Sequence, residues 1–177
     1  MSITLIIGEM FSGKSTELLR RVDRARHAGQ NTILYKYAKD VRFGDERASM
    51  ISSHGGIHKT ATPITSLKDV PIVPNSVIFL DEGQFIDYLV EFAEEAANNK
   101  GCTVVVAALS SDFNRNAFAR IAELQPKCEE IIRLRAICFD CKKDAGFTKR
   151  LTTSMDLEVI GGAEAYKPVC RECYFTL

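Results

Sequence analysis

Gly8, four further residues, then Gly13-Lys14-Ser15 form a pattern whose residue types suit one task, the holding of nucleotide phosphates. Glycines let successive backbone N–H groups turn toward phosphate oxygens, and a helix beginning there adds a favourable dipole. In such a loop the Lys14 ammonium reaches the β- and γ-phosphates, and the Ser15 hydroxyl can ligate Mg²⁺. Gly8-Glu9-Met10-Phe11-Ser12-Gly13-Lys14-Ser15 is therefore the expected ATP and magnesium loop. Because such a loop binds through its backbone, the Glu9 side chain is expected to point away.

A second acidic element completes this chemistry. Asp81 closes the apolar run Val77 to Leu80. At the end of a parallel strand it would share the ligand edge with Lys14 and hold Mg²⁺, directly or through water. The competing role is a helix N-cap, and the two can coexist. Glu82 follows, and a carboxylate beside a metal site can accept a proton from an incoming nucleophile. With water as nucleophile this is an ATPase; with a sugar hydroxyl it is a kinase. The Asp-Glu pair alone does not separate them.

Four of the six cysteines form two CxxC pairs, Cys138/Cys141 and Cys170/Cys173. Two such turns suit a tetrahedral Zn²⁺, each delivering two thiolates about 3.5–4 Å apart. Four thiolates leave no open position for water, so the metal would be structural, closing the 28 residues between Cys141 and Cys170 into a loop. A redox pair and disulfides are the competing readings. Cys102 and Cys128 read as buried small apolar residues. Within the loop, Leu157-Glu158-Val159-Ile160-Gly161-Gly162 and Tyr166 could present backbone groups and an aromatic cover to a flat polar ligand. A plain hairpin with a packed tyrosine explains the same residues equally well.

The composition narrows the setting. The 177 residues are 46% hydrophobic and 26% charged, enough for a buried core in one domain plus a small appendage. Lys plus Arg and Asp plus Glu are both 23, a formal net charge of zero, which argues against a dedicated nucleic-acid binder. No apolar run approaches the ~20 residues of a spanning helix, and the N-terminus has no basic leader region. No membrane or nucleic-acid partner is expected, and the location expected is the cytoplasm.

The elements that must position these residues alternate. Ile3 to Ile7, Thr32 to Tyr37, Ser76 to Leu80, Thr103 to Leu109 and Glu130 to Ala136 read as strands. Between them Leu18, Val22 and Ala25 mark one helix face, Leu89 to Ala96 another, and Asn114 to Leu124 a third. Alternation of this kind predicts an α/β fold with a parallel sheet and flanking helices, of the P-loop NTPase type. Residues 38 to about 70 carry no periodicity and read as a long functional loop. The expected division is 1–136 as a P-loop ATP-binding domain and 137–177 as a small zinc-binding domain.

Taken together, these residues resemble the thymidine kinases of animal cells, many bacteria and poxviruses. The resemblance rests on Gly8 to Leu18, on Asp81-Glu82-Gly83-Gln84-Phe85, and on Phe147-Thr148-Lys149-Arg150-Leu151. Val159-Ile160-Gly161-Gly162 with Tyr166 and the final CxxC extend it over nearly the whole chain. It implies transfer of the γ-phosphoryl group of ATP to the 5′-hydroxyl of thymidine, and of deoxyuridine, with Glu82 as the proton acceptor. Asp81 and Gln84 would then lie on the phosphate and metal side, and Asp40 and Arg42 of Lys39-Asp40-Val41-Arg42 at the nucleotide site.

The resemblance further places thymidine under a lasso made by the zinc-bracketed segment. Leu157, Glu158, Val159, Ile160, Gly161 and Tyr166 would hold it, with a base pocket completed by Met10, Phe85, Leu109, Phe113, Phe118 and Thr148. One departure stands out: where the family usually carries Leu-Asp-Gly-Thr-Phe, this chain has Leu109-Ser110-Ser111-Asp112-Phe113. A homotetramer and feedback inhibition by the end-product triphosphate, dTTP, are also implied. With four residues after Cys173, no regulatory C-terminal extension is expected. Other readings of the same residues are a plain P-loop ATPase, a nucleoside monophosphate kinase with a zinc lid, and a zinc-containing P-loop nucleic-acid binder.

Overall fold

The computed structural model describes residues 1–40, 49–53, 55–152 and 161–176. Its first strand, β1 (Ser2–Gly8), is buried along almost its whole length, as its unbroken apolar run requires of a strand covered on both faces. Helix α1 (Lys14–His27) follows, then β2 (Thr32–Tyr37). Three short strands come next: β3 (Met50–Ser52), β4 (His58–Thr60) and β5 (Thr62–Ile64). Strand β6 (Val77–Asp81) leads through a 3₁₀ turn at Gly83–Phe85 to α2 (Leu89–Glu94). Strand β7 (Thr103–Leu109), helix α3 (Ala119–Leu124) and β8 (Glu130–Arg133) complete the sheet region.

Six strands form one sheet in the order β5-β2-β6-β7-β1-β8, and every pairing in it is parallel. Because side chains alternate across a strand, the sheet divides the core in two. Leu5, Ile7, Tyr35, Leu80, Val104 and Val106 face α2 and α3, whereas Ile6, Leu34, Phe79, Val105 and Ala107 face Leu18, Leu19 and Val22 of α1. Strands β1 and β7 run side by side with Gly8 opposite Leu109. Their C-terminal ends therefore open onto one edge, together with that of β6.

Three strand and helix expectations are corrected. Residues 38–70 were expected to lack regular structure, yet β3 and β4 form an antiparallel hairpin and β5 extends the main sheet beside β2. These strands are three residues each, too short for a periodic signal. Pro63 suits β5 because an edge strand leaves its missing N–H without consequence. The helix expected from Asn114 starts only at Ala119. Asp112 accepts the N–H groups of Asn114 and Asn116, both at 2.8 Å, and Arg115 sits at φ 70°, a turn that no helix can pass through. The helix expected over Leu89 to Ala96 is present, α2 continuing past Glu94 as a π turn at Glu95–Asn99. Strand β8 stops at Arg133 instead of running to Ala136.

Ala136 instead begins β9 (Ala136–Ile137), which pairs with β10 (Asp144–Ala145) in a two-residue antiparallel ladder. A second small ladder joins β11 (Phe147–Arg150) to β12 (Tyr166–Val169), followed by the last helix, α4 (Arg171–Phe175). Ala136, Cys138, Ala145 and Val169 form their own small apolar cluster, on which Phe147 and Tyr174 pack.

Candidate active site

The glycine loop takes the shape its composition suggests. Gly13 lies at φ 87° and ψ 16°, where a side chain is strained, and caps α1, whose first turn begins at Lys14. A Cβ on Gly8 would collide with Ser12 Oγ and come within 2.7 Å of the Leu134 carbonyl, so only glycine fits that strand end. Phe11 adopts φ 65° and completes the reversal. Lys14 is buried, and its Nζ donates to the Glu9 carbonyl at 2.8 Å, spanning the loop that it closes. Ser12 Oγ is buried with no hydrogen-bond partner among the described residues, a polar group awaiting one.

Asp81 and Ser15 meet across this edge. The Ser15 hydroxyl lies 3.0 and 3.2 Å from the two Asp81 carboxylate oxygens. A hydroxyl and a carboxylate so placed beside a phosphate loop could share a hard cation, since such ions take oxygen ligands. Glu82 follows in the left-handed region at φ 58° and ψ 40°, a conformation that costs a non-glycine residue on the order of 1–2 kcal/mol. Gly83 beneath it allows the turn: a Cβ there would stand 2.5 Å from Val106 Cγ1. Strain of this kind concentrates at functional positions.

Gln84, 3% exposed, donates its side-chain amide to Glu82 Oε2 at 2.5 Å and accepts the Leu109 N–H at 3.0 Å. Gln84, which the resemblance sets on the phosphate and metal side, thus bonds the neighbouring carboxylate and the end of β7. Asp40 stands in the turn after β2, its carbonyl accepting Lys36 Nζ at 2.7 Å. Lys36 itself is buried at 3% exposure and pairs in register with Asp81, a lysine within an apolar strand that no motif in the sequence marks. Arg42 lies outside the described residues.

Glu9 is a second departure. Its side chain does point off the loop, but into the protein, at 2% exposure, with Oε1 accepting the Ser110 hydroxyl at 3.2 Å and standing 3.7 Å from Arg133. A carboxylate therefore reaches Ser110, the residue after β7, from the phosphate loop.

The residues expected around a nucleoside fall into two groups. Met10, Leu109 and Tyr166 pack together with Phe11 and Ala165, and the Met10 N–H donates to the buried Thr148 hydroxyl at 3.3 Å. Phe85 and Phe118 lie edge to face with ring centres 5.7 Å apart, and Phe85 also packs on Tyr37. Phe113 projects from the Asp112 turn, its carbonyl accepting Tyr174 Oη at 2.7 Å. Gly161 is buried, and Gly162 accepts the Tyr166 N–H at 3.0 Å. Leu157, Glu158, Val159 and Ile160 lie outside the described residues.

The four cysteines converge. All four sulfurs of Cys138, Cys141, Cys170 and Cys173 lie within 4.8 Å of one another, with Cys141 and Cys170 at 3.6 Å. A disulfide needs about 2.05 Å, and none of the six cysteines is in one. A tetrahedron with bonds of about 2.3 Å has edges near 3.8 Å, so this donor set fits a thiolate-bound zinc. Burial raises the Cys138 thiol, but the backbone groups of Cys141, Cys170 and Asp140 outweigh it and hold the thiol down at about 6. The Cys170 sulfur and burial push Cys173 up to about 12.

A parallel sheet with a glycine-lysine phosphate loop and an acidic strand end defines a P-loop α/β protein. A profile of the family described as "Thymidine kinase" matches residues 1–174, and the chain belongs to that family. Relatives support this. A chicken (Gallus gallus) protein named "Thymidine kinase, cytosolic" is 46% identical over 98% of this chain and 76% of its own length. A human protein of the same name is 46% identical over 98% of this chain and 73% of its length. A sheeppox virus "Thymidine kinase" is 45% identical over 98% of this chain and 96% of its own. No helix among the described residues is long and apolar enough to cross a membrane.

Proposed function

We propose that this protein phosphorylates thymidine, and deoxyuridine with it, at the 5′-hydroxyl, using ATP. The observation that carries the reading is the convergence of Lys14, Ser15, Asp81 and Glu82 at one sheet edge in a chain of this family. Lys14 and the N–H groups of Phe11 to Ser15 would cradle the β- and γ-phosphates. Ser15 and Asp81 would hold Mg²⁺, whose chemistry there is to offset the charge of the phosphate oxygens. Glu82 takes the proton of the 5′-hydroxyl as that oxygen bonds to the γ-phosphorus; the bond to the bridging oxygen breaks and ADP leaves with its electron pair.

Acceptor selection follows from the pocket. Met10, Leu109, Phe113, Thr148 and Tyr166 supply one wall for a pyrimidine, with Phe85 and Phe118 behind. Main-chain groups of Leu157 to Gly161 would read the thymine edge, whose donors and acceptors alternate. Covering the acceptor with this lasso excludes water and favours kinase over ATPase chemistry. In this reading residues 1–136 bind ATP, and residues 137–177 form the lasso, tied by a zinc ion on Cys138, Cys141, Cys170 and Cys173. A homotetramer in the cytoplasm, inhibited by dTTP spanning both sites, belongs to the same reading.

Phosphoryl transfer from labelled ATP to thymidine, deoxycytidine, thymidine monophosphate or no acceptor tests it. Label on thymidine is the expected result. Free phosphate released regardless of acceptor would replace this reading with an ATPase.

A further inference from the structure

Arg150 closes β11 directly opposite Tyr166 of β12. Its guanidinium carbon lies 3.7 Å from the centre of the Phe113 ring, the separation of a flat stack, and 5.2 Å from that of Tyr166. One of its nitrogens donates to Tyr166 Oη at 2.7 Å. A single side chain thus touches two residues assigned to the nucleoside. One comes from the loop after β7 and the other from the cysteine-bracketed segment.

We propose that Arg150 is a positioning residue for the nucleoside pocket, setting the Phe113 ring plane against the Tyr166 hydroxyl through one guanidinium. The inference rests on the thymidine kinase reading and adds a residue to it.

Three features support it. Phe113 is presented by a stiff turn, since Asp112 ties Asn114 and Asn116 and Tyr174 holds the Phe113 carbonyl. Its ring plane is then the freedom left to fix, and a planar cation on one face fixes it. A base stacking on Phe113 meets the other face. Arginine also has no acceptor atom, so Tyr166 Oη accepts in their bond and the phenolic proton must turn elsewhere. Arg150 therefore decides the polarity as well as the place of that hydroxyl. Lysine cannot substitute, because an ammonium does not stack flat while donating sideways.

The test is steady-state kinetics on the full chain and on Arg150→Met, Arg150→Lys, Tyr166→Phe and the Arg150→Lys/Tyr166→Phe double variant. Arg150→Met is expected to raise the thymidine KM roughly tenfold, from the lost stack and hydrogen bond. The ATP KM should stay within about twofold, since the phosphate loop makes no use of the stack. Arg150→Lys is expected not to rescue, and its effect and that of Tyr166→Phe to combine less than additively. If Arg150→Met does not fold, Arg150→Lys and the double variant carry the same test. An unchanged thymidine KM, a parallel rise in both KM values, full rescue by lysine, or simple additivity would each overturn the proposal. An unmodified chain that leaves thymidine unphosphorylated would overturn the functional reading and this proposal together. An active chain with unchanged variants would overturn only the role of Arg150.

Discussion

Gln84 bonds the Glu82 carboxylate with its amide nitrogen and the Leu109 backbone with its amide oxygen. The side chain two residues beyond the proposed base thus ties it to the end of the central strand β7. The next residue, Ser110, donates its N–H to the Gly8 carbonyl at 3.3 Å and its hydroxyl to Glu9. The base and the phosphate loop are joined through the end of one strand. Catalysis by positioning depends on such connections, because a reacting group must be held near its target without reorganising.

Replacing Glu82 by Gln keeps the volume and the strained backbone, leaves one oxygen to accept from Gln84, and removes the carboxylate charge and with it proton acceptance. Turnover is expected to fall on the order of 10²- to 10⁴-fold, while ATP binding is unaffected. Equilibrium binding of a labelled ATP analogue beside a thymidine phosphorylation assay checks both halves. Near-normal turnover would remove Glu82 as the base.

Gln84→Ala separates two roles. It leaves the half-buried Leu109 N–H without its acceptor and Glu82 without its tether, so kcat is expected to fall with the ATP KM little changed. A raised ATP KM with kcat preserved would instead put Gln84 on the phosphates, as the family resemblance implied. Steady-state kinetics varied in ATP decides it.

The phosphate loop, Asp81, Glu82 and the two CxxC turns were legible because each pairs a residue type with a fixed spacing and a strand or helix boundary. The parallel sheet was legible from apolar runs buried on both faces. The remaining features lack such a local mark. Strands β3 to β5 are too short to show a period, and they form because Ile51 and Ala61 find cover beside α1. The helix at Asn114 was overridden by one aspartate side chain competing for backbone N–H groups. Arg150 was visible within Phe147-Thr148-Lys149-Arg150-Leu151, but its stack on Phe113 joins residues 37 positions apart, which no spacing rule reports.

Acid should loosen the helix behind the phosphate loop. Glu17, in the first turn of α1, bonds Arg20 at 2.7 and 2.8 Å and Arg21 at 2.9 Å, and Arg21 continues to Glu130 of β8. The Arg20 hydrogen bond, against the opposing effect of burial and with Arg21 adding to it, lowers the Glu17 carboxyl to about 2. An unfolded glutamate titrates near 4.3. The folded value is depressed, so the stabilisation is complete above the unfolded value and disappears as pH falls from about 4.5 toward 2. Denaturant unfolding should find the unmodified chain more stable than Glu17→Gln at pH 6, with the gap closing across that window. Salt should narrow it too, since Arg20 is 60% exposed. A gap independent of pH would show that the glutamate acts through packing instead.

Metal removal should separate the two substrates. If Cys138, Cys141, Cys170 and Cys173 hold zinc, the ion secures β9 to β12 and α4, which carry Thr148, Arg150 and Tyr166. The small cluster around Ala136, Ala145 and Val169 contains few apolar side chains and is too slight to order these elements alone. The phosphate loop rests chiefly on β1, β7 and α1, whose core contains none of these four cysteines. Chelation is therefore expected to weaken thymidine binding or unfold the C-terminal segment before ATP binding suffers. Calorimetric titration of verified metal-free protein with each ligand measures this. The segment is expected to recover on adding Zn²⁺, with protons released as the thiols ionise. Unchanged thymidine affinity in the metal-free protein would show that the pocket is held by its packing alone, through Arg150, Phe113 and Tyr174.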